Sequence, residues 1–178
     1  GYGCSVLYWK GEFITDFTHR RLRDKIVTGG TSTFREASSH QGIEEATRNI
    51  FDAIGWNGLA MCEFKVCTKT GKFWFIEVNP RMWGSISLPI EAGVEFPYLA
   101  WLCAKKGPDA AIKHQSNTKK PEKWKARWLL GDIFLILGSL TRLDFKSAIR
   151  IILEDRANSL DDFFLNDPFV FFGEACSY

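Results

Sequence analysis

The sequence lacks a strong net charge, a long apolar run and a regular arrangement of cysteines. Its 178 residues carry a formal net charge of +2, so no global field favours nucleic acid or a membrane surface as a partner. No run of about 18 apolar residues occurs, which predicts that no helix spans a membrane. We find no internal repeat, low-complexity segment or signal peptide, and the start at Gly1 suggests a piece of a longer protein.

The five cysteines are odd in number and scattered along the chain. They form no Cys-x-x-Cys pair, and none of the three histidines stands at the spacing of zinc ligands. Cys62 and Cys67 lie on opposite faces of one predicted strand, which argues against a shared metal or a mutual disulfide. Reduced thiols of this kind predict a cytoplasmic protein. A nucleophile arrangement of the Ser/His/Asp or Cys/His type is also missing.

The most informative segment that is present reads Phe-Trp-Phe-Ile-Glu-Val-Asn-Pro-Arg over residues 73–81. In a strand, alternation places Glu77 and Asn79 on one face. Pro80 lacks the N–H that a sheet ladder needs, so the strand should end there and Arg81 should lie in a loop beyond it. Two oxygen-bearing side chains with an arginine beside them suit a Mg²⁺–phosphate group.

The preceding strand, predicted over residues 58–67, carries Glu63. A three-residue loop ending at Gly71 pairs residues whose numbers sum to about 140, so that Glu63 would lie opposite Glu77. A two-residue loop would instead place Glu63 opposite Val78, and the sequence leaves both registers open. Facing carboxylates repel unless one is protonated or a cation lies between them, and Mg²⁺ is the usual cation. The alternative is an ordinary hairpin with two solvated acids.

A basic segment, His-Arg-Arg-Leu-Arg-Asp-Lys, occupies residues 19–25. Alternation puts His19, Arg21 and Arg23 on one face. We predict that Arg21 and Arg23 bind phosphate or carboxylate, because the planar guanidinium can bond two oxygens at once. A solvated strand end is the alternative. The glycine-containing stretch that follows, residues 27–33, is either a linker or a loop that faces the substrate.

The acid on one strand and the Glu-Val-Asn-Pro-Arg string on the next resemble the metal and phosphate site of the ATP-grasp superfamily. Biotin carboxylase, carbamoyl phosphate synthetase and many carboxylate–amine ligases belong to it. The resemblance implies ligands for Mg²⁺, with Mn²⁺ as an alternative, on the phosphates of ATP, namely Glu63, Glu77 and Asn79. It also implies a set of catalytic cations that steady the carboxylate being activated, namely Arg81, Arg21 and Arg23.

The resemblance extends over residues 1–108 and implies an α+β fold, in which an antiparallel sheet packs against helices as in the C-terminal lobe of an ATP-grasp fold. Residues 109–123 are polar and contain proline, which predicts a linker. Residues 124–178 predict a mainly helical extension. The first lobe, with the adenine hinge, is expected to precede Gly1, so this chain by itself should be inactive.

The resulting hypothesis is an ATP-dependent ligase whose substrates are a small-molecule carboxylate and an amine, with no nucleic acid as partner. Two alternatives stay open. One is a non-catalytic nucleotide-binding module, and the other is a scaffold in which the aromatic C-terminal third forms a homo-oligomer interface. The apolar stretch at residues 124–140 fits a buried helix or a peripheral helix that faces a membrane.

Overall fold

The chain folds around one sheet with helices on both of its faces. The computed structural model describes residues 1–25, 31–118, 123–153 and 156–177. In these ranges the strands are β1 (Tyr2–Trp9), β2 (Glu12–Asp24), β3 (Ser32–Ala37), β4 (Gly58–Val66), β5 (Phe73–Asn79), β6 (Lys125–Arg127) and β7 (Ser159–Leu160). Their order across the sheet is β5-β4-β1-β2-β3-β6-β7, and the neighbouring pairs are antiparallel except for the parallel pair β6–β7.

The described residues also contain seven helices. They are α1 (Gln41–Ala53), α2 (Ser87–Glu91), α3 (Phe96–Lys106), α4 (Pro108–Ser116), α5 (Leu129–Thr141), α6 (Phe145–Leu153) and α7 (Phe169–Ala175). In α1 the residues Ile43, Thr47 and Phe51 are buried at four-residue steps, which is one face of an α-helix. Gly55, with a φ of +57°, follows the end of this helix in the left-handed conformation that glycine tolerates.

Alternation along the central strand β1 supplies a core on each face of the sheet. Cys4, Val6 and Tyr8 pack beneath α1, whereas Leu7 packs on the other face, where α2, α3 and α4 lie. Burying a large apolar side chain contributes about 1.5–3 kcal/mol, so the two cores hold the central strands firmly in place. The strands therefore offer a rigid support for side chains near Gly3, at the start of β1.

The predicted linker at residues 109–123 is wrong over its first half, because α4 occupies Pro108–Ser116. Proline at the helix start and Asp109 in the first turn both favour helix initiation. Ala111 is fully buried, and Gln115 Nε2 donates to the Gly93 carbonyl at 3.2 Å. The segment thus packs on the body of the fold, a tertiary contact that its polar composition concealed.

The C-terminal region is mainly helical, as predicted, but it also extends the sheet. Residues 125–127 pair with β3, and residues 159–160 pair with β6. The division into a lobe at residues 1–108 and an extension at residues 124–178 stays a prediction.

Two further expectations from the sequence concern membrane-spanning helices and disulfide bonds. No helix within the described residues is long and apolar enough to cross a bilayer. All five cysteines are free thiols. Burial raises the pKa of Cys4 to about 11 and that of Cys62 to about 12. These two thiols are register partners on β1 and β4, and both are therefore uncharged at neutral pH.

Candidate active site

A cavity of about 350 Å³ opens at the end of the sheet where Gly3 of β1 lies between His19 of β2 and Glu63 of β4. Most of the predicted site residues line it, namely Arg21, Glu63, Glu77, Asn79 and Arg81. Arg23 is the predicted site residue that does not. The fold therefore brings together side chains from β2, β4, β5 and the loop after β5.

Two carboxylates face each other across the β4–β5 hairpin. Glu63 and Glu77 are register partners, which settles the open choice of register in favour of the facing pair. Asn79 bridges them, since its Nδ2 donates to Glu63 Oε1 at 3.3 Å and to Glu77 Oε1 at 3.1 Å. Arg21 donates to Glu63 Oε2 at 2.6 Å, and both side chains are 19% exposed. These donors offset the repulsion between the two acids.

The loop of this hairpin is longer than the three residues that we predicted. Residues 68–71 form it, and it is closed by a hydrogen bond from the Cys67 N–H to the Lys72 carbonyl at 2.8 Å. A loop closed by this pair would place Glu63 opposite Ile76 if the strands ran on regularly. The predicted pairing of the two acids must therefore have another cause.

That cause is a β-bulge at Ile76. Phe64 pairs with Phe75, whereas Glu63 pairs with Glu77, so Ile76 is an extra residue in β5 without a register partner. One extra residue reverses the alternation beyond it, which turns Glu77 onto the face of Glu63. Without the bulge, Glu77 would share the face of Phe75 beneath α1.

Arg81 lies in the loop after Pro80, as predicted, and it lines the cavity. Arg81 is exposed, and its Nη1 donates to the Met82 carbonyl at 3.0 Å. Trp83 is only 3% exposed, and its ring packs edge-on against Phe96 of α3 with 5.3 Å between ring centroids. The buried indole anchors the loop, so Arg81 is held among the residues that line the cavity.

Arg23 does not share a face with Arg21, which corrects the prediction from strand alternation. A second bulge, at Leu22, interrupts β2: Arg21 pairs with Arg35, but Arg23 pairs with Phe34. Because consecutive residues of β3 point to opposite faces, Arg23 lies on the face opposite to Arg21.

Arg23 instead takes part in an ion-pair cluster beneath α5. Its guanidinium donates to Asp132 Oδ2 at 2.5 Å and to Thr33 Oγ1 at 3.1 Å. Arg127 of β6 lies 3.4 Å from the same carboxylate oxygen. The geometry gives Arg23 a structural role in place of the predicted contact with substrate.

His19 forms an uncharged wall of the cavity. Burial, followed by the positive charges of Arg35 and Arg21, lowers the pKa of His19 to about 3. Its ring lies close to β1, because a Cβ built on Gly3 would come within 2.4 Å of His19 Cε1. Glycine at this position therefore provides the room that the imidazole needs.

Arg35 lines the cavity, although no sequence pattern singled it out. Residues 32–37, Ser-Thr-Phe-Arg-Glu-Ala, form β3 and are all buried, although the segment has no apolar–polar alternation that would have predicted a strand. Its Nη1 donates to the Ser32 carbonyl at 2.9 Å, and its guanidinium forms an ion pair with Asp161. Burial, followed by the charge of Arg21, lowers the pKa of Arg35 to about 10, so it stays protonated at neutral pH.

The glycine-containing stretch predicted at residues 27–33 is described only in part, since residues 27–30 lie outside the described residues. Thr31 and Ser32 line the cavity.

The donor set in the cavity matches what Mg²⁺ or Mn²⁺ prefers. The carboxylates of Glu63 and Glu77 and the amide oxygen of Asn79 are hard oxygen ligands. Within the described ranges, no group of three or more His, Cys, Asp or Glu side chains could hold an ion without further help. A cation here would therefore depend on additional ligands, as Mg²⁺ does where one or two carboxylates combine with substrate phosphates.

Known proteins provide an independent comparison. The family described as "ATP-grasp in the biosynthetic pathway with Ter operon" matches residues 4–129. Acetyl-CoA carboxylase 2 of Oryza sativa subsp. japonica is 28% identical over 97 residues, which cover 54% of this chain and 4% of that protein. Acetyl-CoA carboxylase 2 of Arabidopsis thaliana is 26% identical over 97 residues, again 54% of this chain and 4% of that protein.

Among solved structures, the complete multifunctional pyruvate carboxylase from Rhizobium etli is similar with a TM-score of 0.55 at 17% identity. The match covers 67% of this chain and 12% of that chain. At this identity the likeness shows the fold alone, which is α+β.

The fold and the family match together define the class: the chain belongs to the ATP-grasp family. Within that family, the match is to the ATP-grasp proteins of the biosynthetic pathway with Ter operon. The chain spans about 4% of the length of the plant carboxylases, so their activities describe those proteins and not this chain.

Proposed function

We propose that this chain forms the phosphate-binding part of an ATP-dependent ligase, which activates a carboxylate as an acyl phosphate and joins it to an amine. The observation that carries the proposal is the facing pair Glu63 and Glu77, bridged by Asn79, in the cavity that Arg21 and Arg81 also line. Acids of this kind suit a phosphate-bound cation, and guanidinium groups suit anionic oxygens. Membership of the ATP-grasp family supports the same class of reaction.

The reaction has two steps. The carboxylate of the first substrate would attack the γ-phosphorus of ATP, the bond to the β,γ-bridging oxygen would break, and ADP would leave. The amine would then attack the acyl carbon, inorganic phosphate would leave, and the nitrogen would lose a proton. Neither step needs a nucleophile from the protein, whose task is to hold the reactants together and to offset their charge.

Five side chains of the cavity have a role in this proposal. Glu63, Glu77 and Asn79 would hold Mg²⁺, which supplies positive charge to the phosphate oxygens. Arg81, exposed and close to the acids, would contact the carboxylate being activated. Arg21 would keep Glu63 in place through the ion pair at 2.6 Å and would face the same anionic groups.

The test is Mg²⁺-dependent binding of ATP, measured by titration calorimetry on the native polypeptide that contains this sequence. Glu77→Gln keeps the shape of the side chain but removes its charge, so we expect at least about a tenfold loss of Mg²⁺-dependent affinity. The matched control is Glu45→Gln on α1, an exposed acid on the other face of the sheet. Unchanged Mg²⁺-dependent binding in Glu77→Gln would contradict the assignment of the metal ligands.

Turnover separates the ligase from a non-catalytic nucleotide-binding module. Binding of Mg²⁺–ATP without release of ADP in the presence of mixed carboxylates and amines would favour the module. Release of ADP that requires both a carboxylate and an amine would support the ligase.

A scaffold or oligomerisation module is a further candidate, favoured by apolar side chains on α6. Phe145, Ile149 and Ile152 are each more than half exposed and recur at helical spacing. Exposed apolar surface of this kind is typical of protein interfaces. Sedimentation that shows concentration-dependent association, with no effect of Mg²⁺–ATP and no ATP binding, would favour this candidate over the ligase.

A further inference from the structure

The guanidinium of Arg35 is unusual among the groups of the cavity because it is charged and almost completely buried. It is 2% exposed, yet it lines the cavity and carries a positive charge. Its Nη1 donates to the Ser32 carbonyl and its Nη2 lies in an ion pair with Asp161, whereas neither Nη2 nor Nε makes a hydrogen bond among the described residues. A buried charged donor without an acceptor is costly, so the Nε–H is suited to receive an oxygen from a ligand.

Asp161, the ion-pair partner of Arg35, is itself held in place. Its backbone N–H donates to the Arg127 carbonyl at 2.9 Å, next to the pairing of β6 with β7. The hydroxyl of Ser87 donates to Asp161 Oδ1 at 2.5 Å, and Ser87 begins the helix that follows the Arg81 loop. The carboxylate thus joins the C-terminal region to the cavity and fixes the direction of the Arg35 guanidinium.

The neighbouring charge explains why an anion should bind there. Arg35 and Arg21 are register partners on β3 and β2, so their Cβ atoms lie about 5 Å apart. Glu63 and Asp161 each pair with one of these cations, yet the two guanidinium groups still repel each other: burial, followed by the charge of Arg21, lowers the pKa of Arg35. An oxyanion between the two guanidinium groups would relieve the repulsion and would accept the Arg35 Nε–H.

We propose that Arg35 binds an oxyanion in this cavity and that Asp161 is the positioning residue for its guanidinium. The ligand is a carboxylate or a phosphate group, since both offer oxygens to a guanidinium donor. The inference rests on the proposed function in one respect, because that function makes the oxyanion a part of the substrate or of ATP. The binding site itself is defined by the residues of this chain.

The test follows the Nε–Hε signal of Arg35 by nuclear magnetic resonance during titrations of this chain with inorganic phosphate and, separately, with acetate. The signal is assigned by its absence in Arg35→Lys. We expect a saturable shift with one of the two anions, and the responding anion tells which kind of group the subsite takes. No shift with either anion would overturn the proposal.

Two variants separate positioning from mere structural damage. Asp161→Asn should weaken anion binding at Arg35 about tenfold, because the guanidinium loses the carboxylate that orients it. Asp162→Asn is the control: its carboxylate accepts from the Leu129 and Leu130 N–H groups at 2.9 and 2.7 Å, so this variant should lose stability and keep its anion affinity. Equal loss of affinity in both variants would overturn the role of Asp161.

The proposal can fail independently of the ligase. If Mg²⁺–ATP does not bind but phosphate or acetate still moves the Arg35 signal, the ligase fails and the oxyanion subsite stands. If Mg²⁺–ATP is turned over but neither anion moves the signal, and Arg35→Lys leaves the KM values for carboxylate and ATP unchanged, the subsite fails and the ligase stands.

Discussion

Two β-bulges flank the cavity, and they act in opposite directions. At Ile76 in β5 the extra residue turns Glu77 into the cavity, whereas at Leu22 in β2 it turns Arg23 away from it. One unpaired residue reverses the alternation of every side chain that follows. The position of a bulge therefore decides which charges enter a site, even where the sequence places acids and bases at regular spacing.

The two redirected side chains meet different surroundings. Glu77 is exposed and accepts a hydrogen bond from Asn79, so it can exchange that partner for a ligand. Arg23 is 13% exposed and pairs with Asp132, whose side chain is 3% exposed. The first bulge thus supplies the proposed metal ligand Glu77. The second supplies a largely buried ion pair, and we expect its loss to lower the stability of the fold.

The largest expected effect tests the structural side of this contrast. Asp132→Ala leaves Arg23 and Arg127 without their shared carboxylate in a mostly buried place. We expect the free energy of unfolding to fall by about 3–5 kcal/mol, because uncompensated buried charges are strongly destabilising. Urea denaturation followed by circular dichroism measures this change.

Asp16→Ala is the matched control, because Asp16 pairs with Arg48 at 2.7 Å where the arginine side chain is 47% exposed. Solvent screens such a pair, so the expected loss is at most about 1 kcal/mol. Similar losses in the two variants would show that the Leu22 bulge does not create a special buried contact.

A second prediction concerns the face of β2 before its bulge, where His19 lies. Its pKa falls from 6.5 in the unfolded chain to about 3 in the folded protein, so between these values the unfolded state binds more protons. The contribution of neutral His19 to the free energy of unfolding is therefore fully present above about pH 6.5, and it is lost as the pH falls toward 3. Between about pH 7.5 and about pH 5 we expect a loss of about 2 kcal/mol from this group.

The measurement is urea denaturation at both pH values, with His19→Gln as the comparison. The variant should show a smaller loss between the two pH values, since glutamine does not titrate. An equal loss in the parent and the variant would mean that His19 is not held neutral by its burial and by the charges of Arg35 and Arg21.

The shared face of Glu77 and Asn79 on β5 could be predicted because their relation is local. Glu77 and Asn79 are two residues apart after the bulge, so strict alternation places them correctly, and Pro80 marks the strand end. The facing of Glu63 and Glu77 was predicted from a three-residue loop. It is produced instead by a four-residue loop combined with the bulge at Ile76, two deviations that compensate each other.

The remaining features depend on contacts that sequence periodicity does not contain. No glycine or proline near Leu22 indicates a bulge in the sequence, so strict alternation assigned Arg23 to the wrong face. Arg35 and Asp161 lie far apart in the sequence, and their pairing requires β6 and β7 to join the sheet. Patterns with a period of two or 3.6 residues report on local geometry and not on such long-range neighbours.

The smallest expected effect sets the two arginines of β2 directly against each other. Arg21→Met should weaken Mg²⁺–ATP binding about tenfold, because Glu63 loses its charge-assisted partner and the cavity loses a cation. Arg23→Met should change this affinity by less than about twofold, although it should lower stability by leaving Asp132 with Arg127 alone. Calorimetric titration of both variants, each at a temperature where it is folded, gives the comparison. Equal weakening in both variants would mean that the bulge at Leu22 does not remove Arg23 from the site. A loss of affinity confined to Arg21→Met would mean that the residues of β2 that bind the ligand end at this bulge.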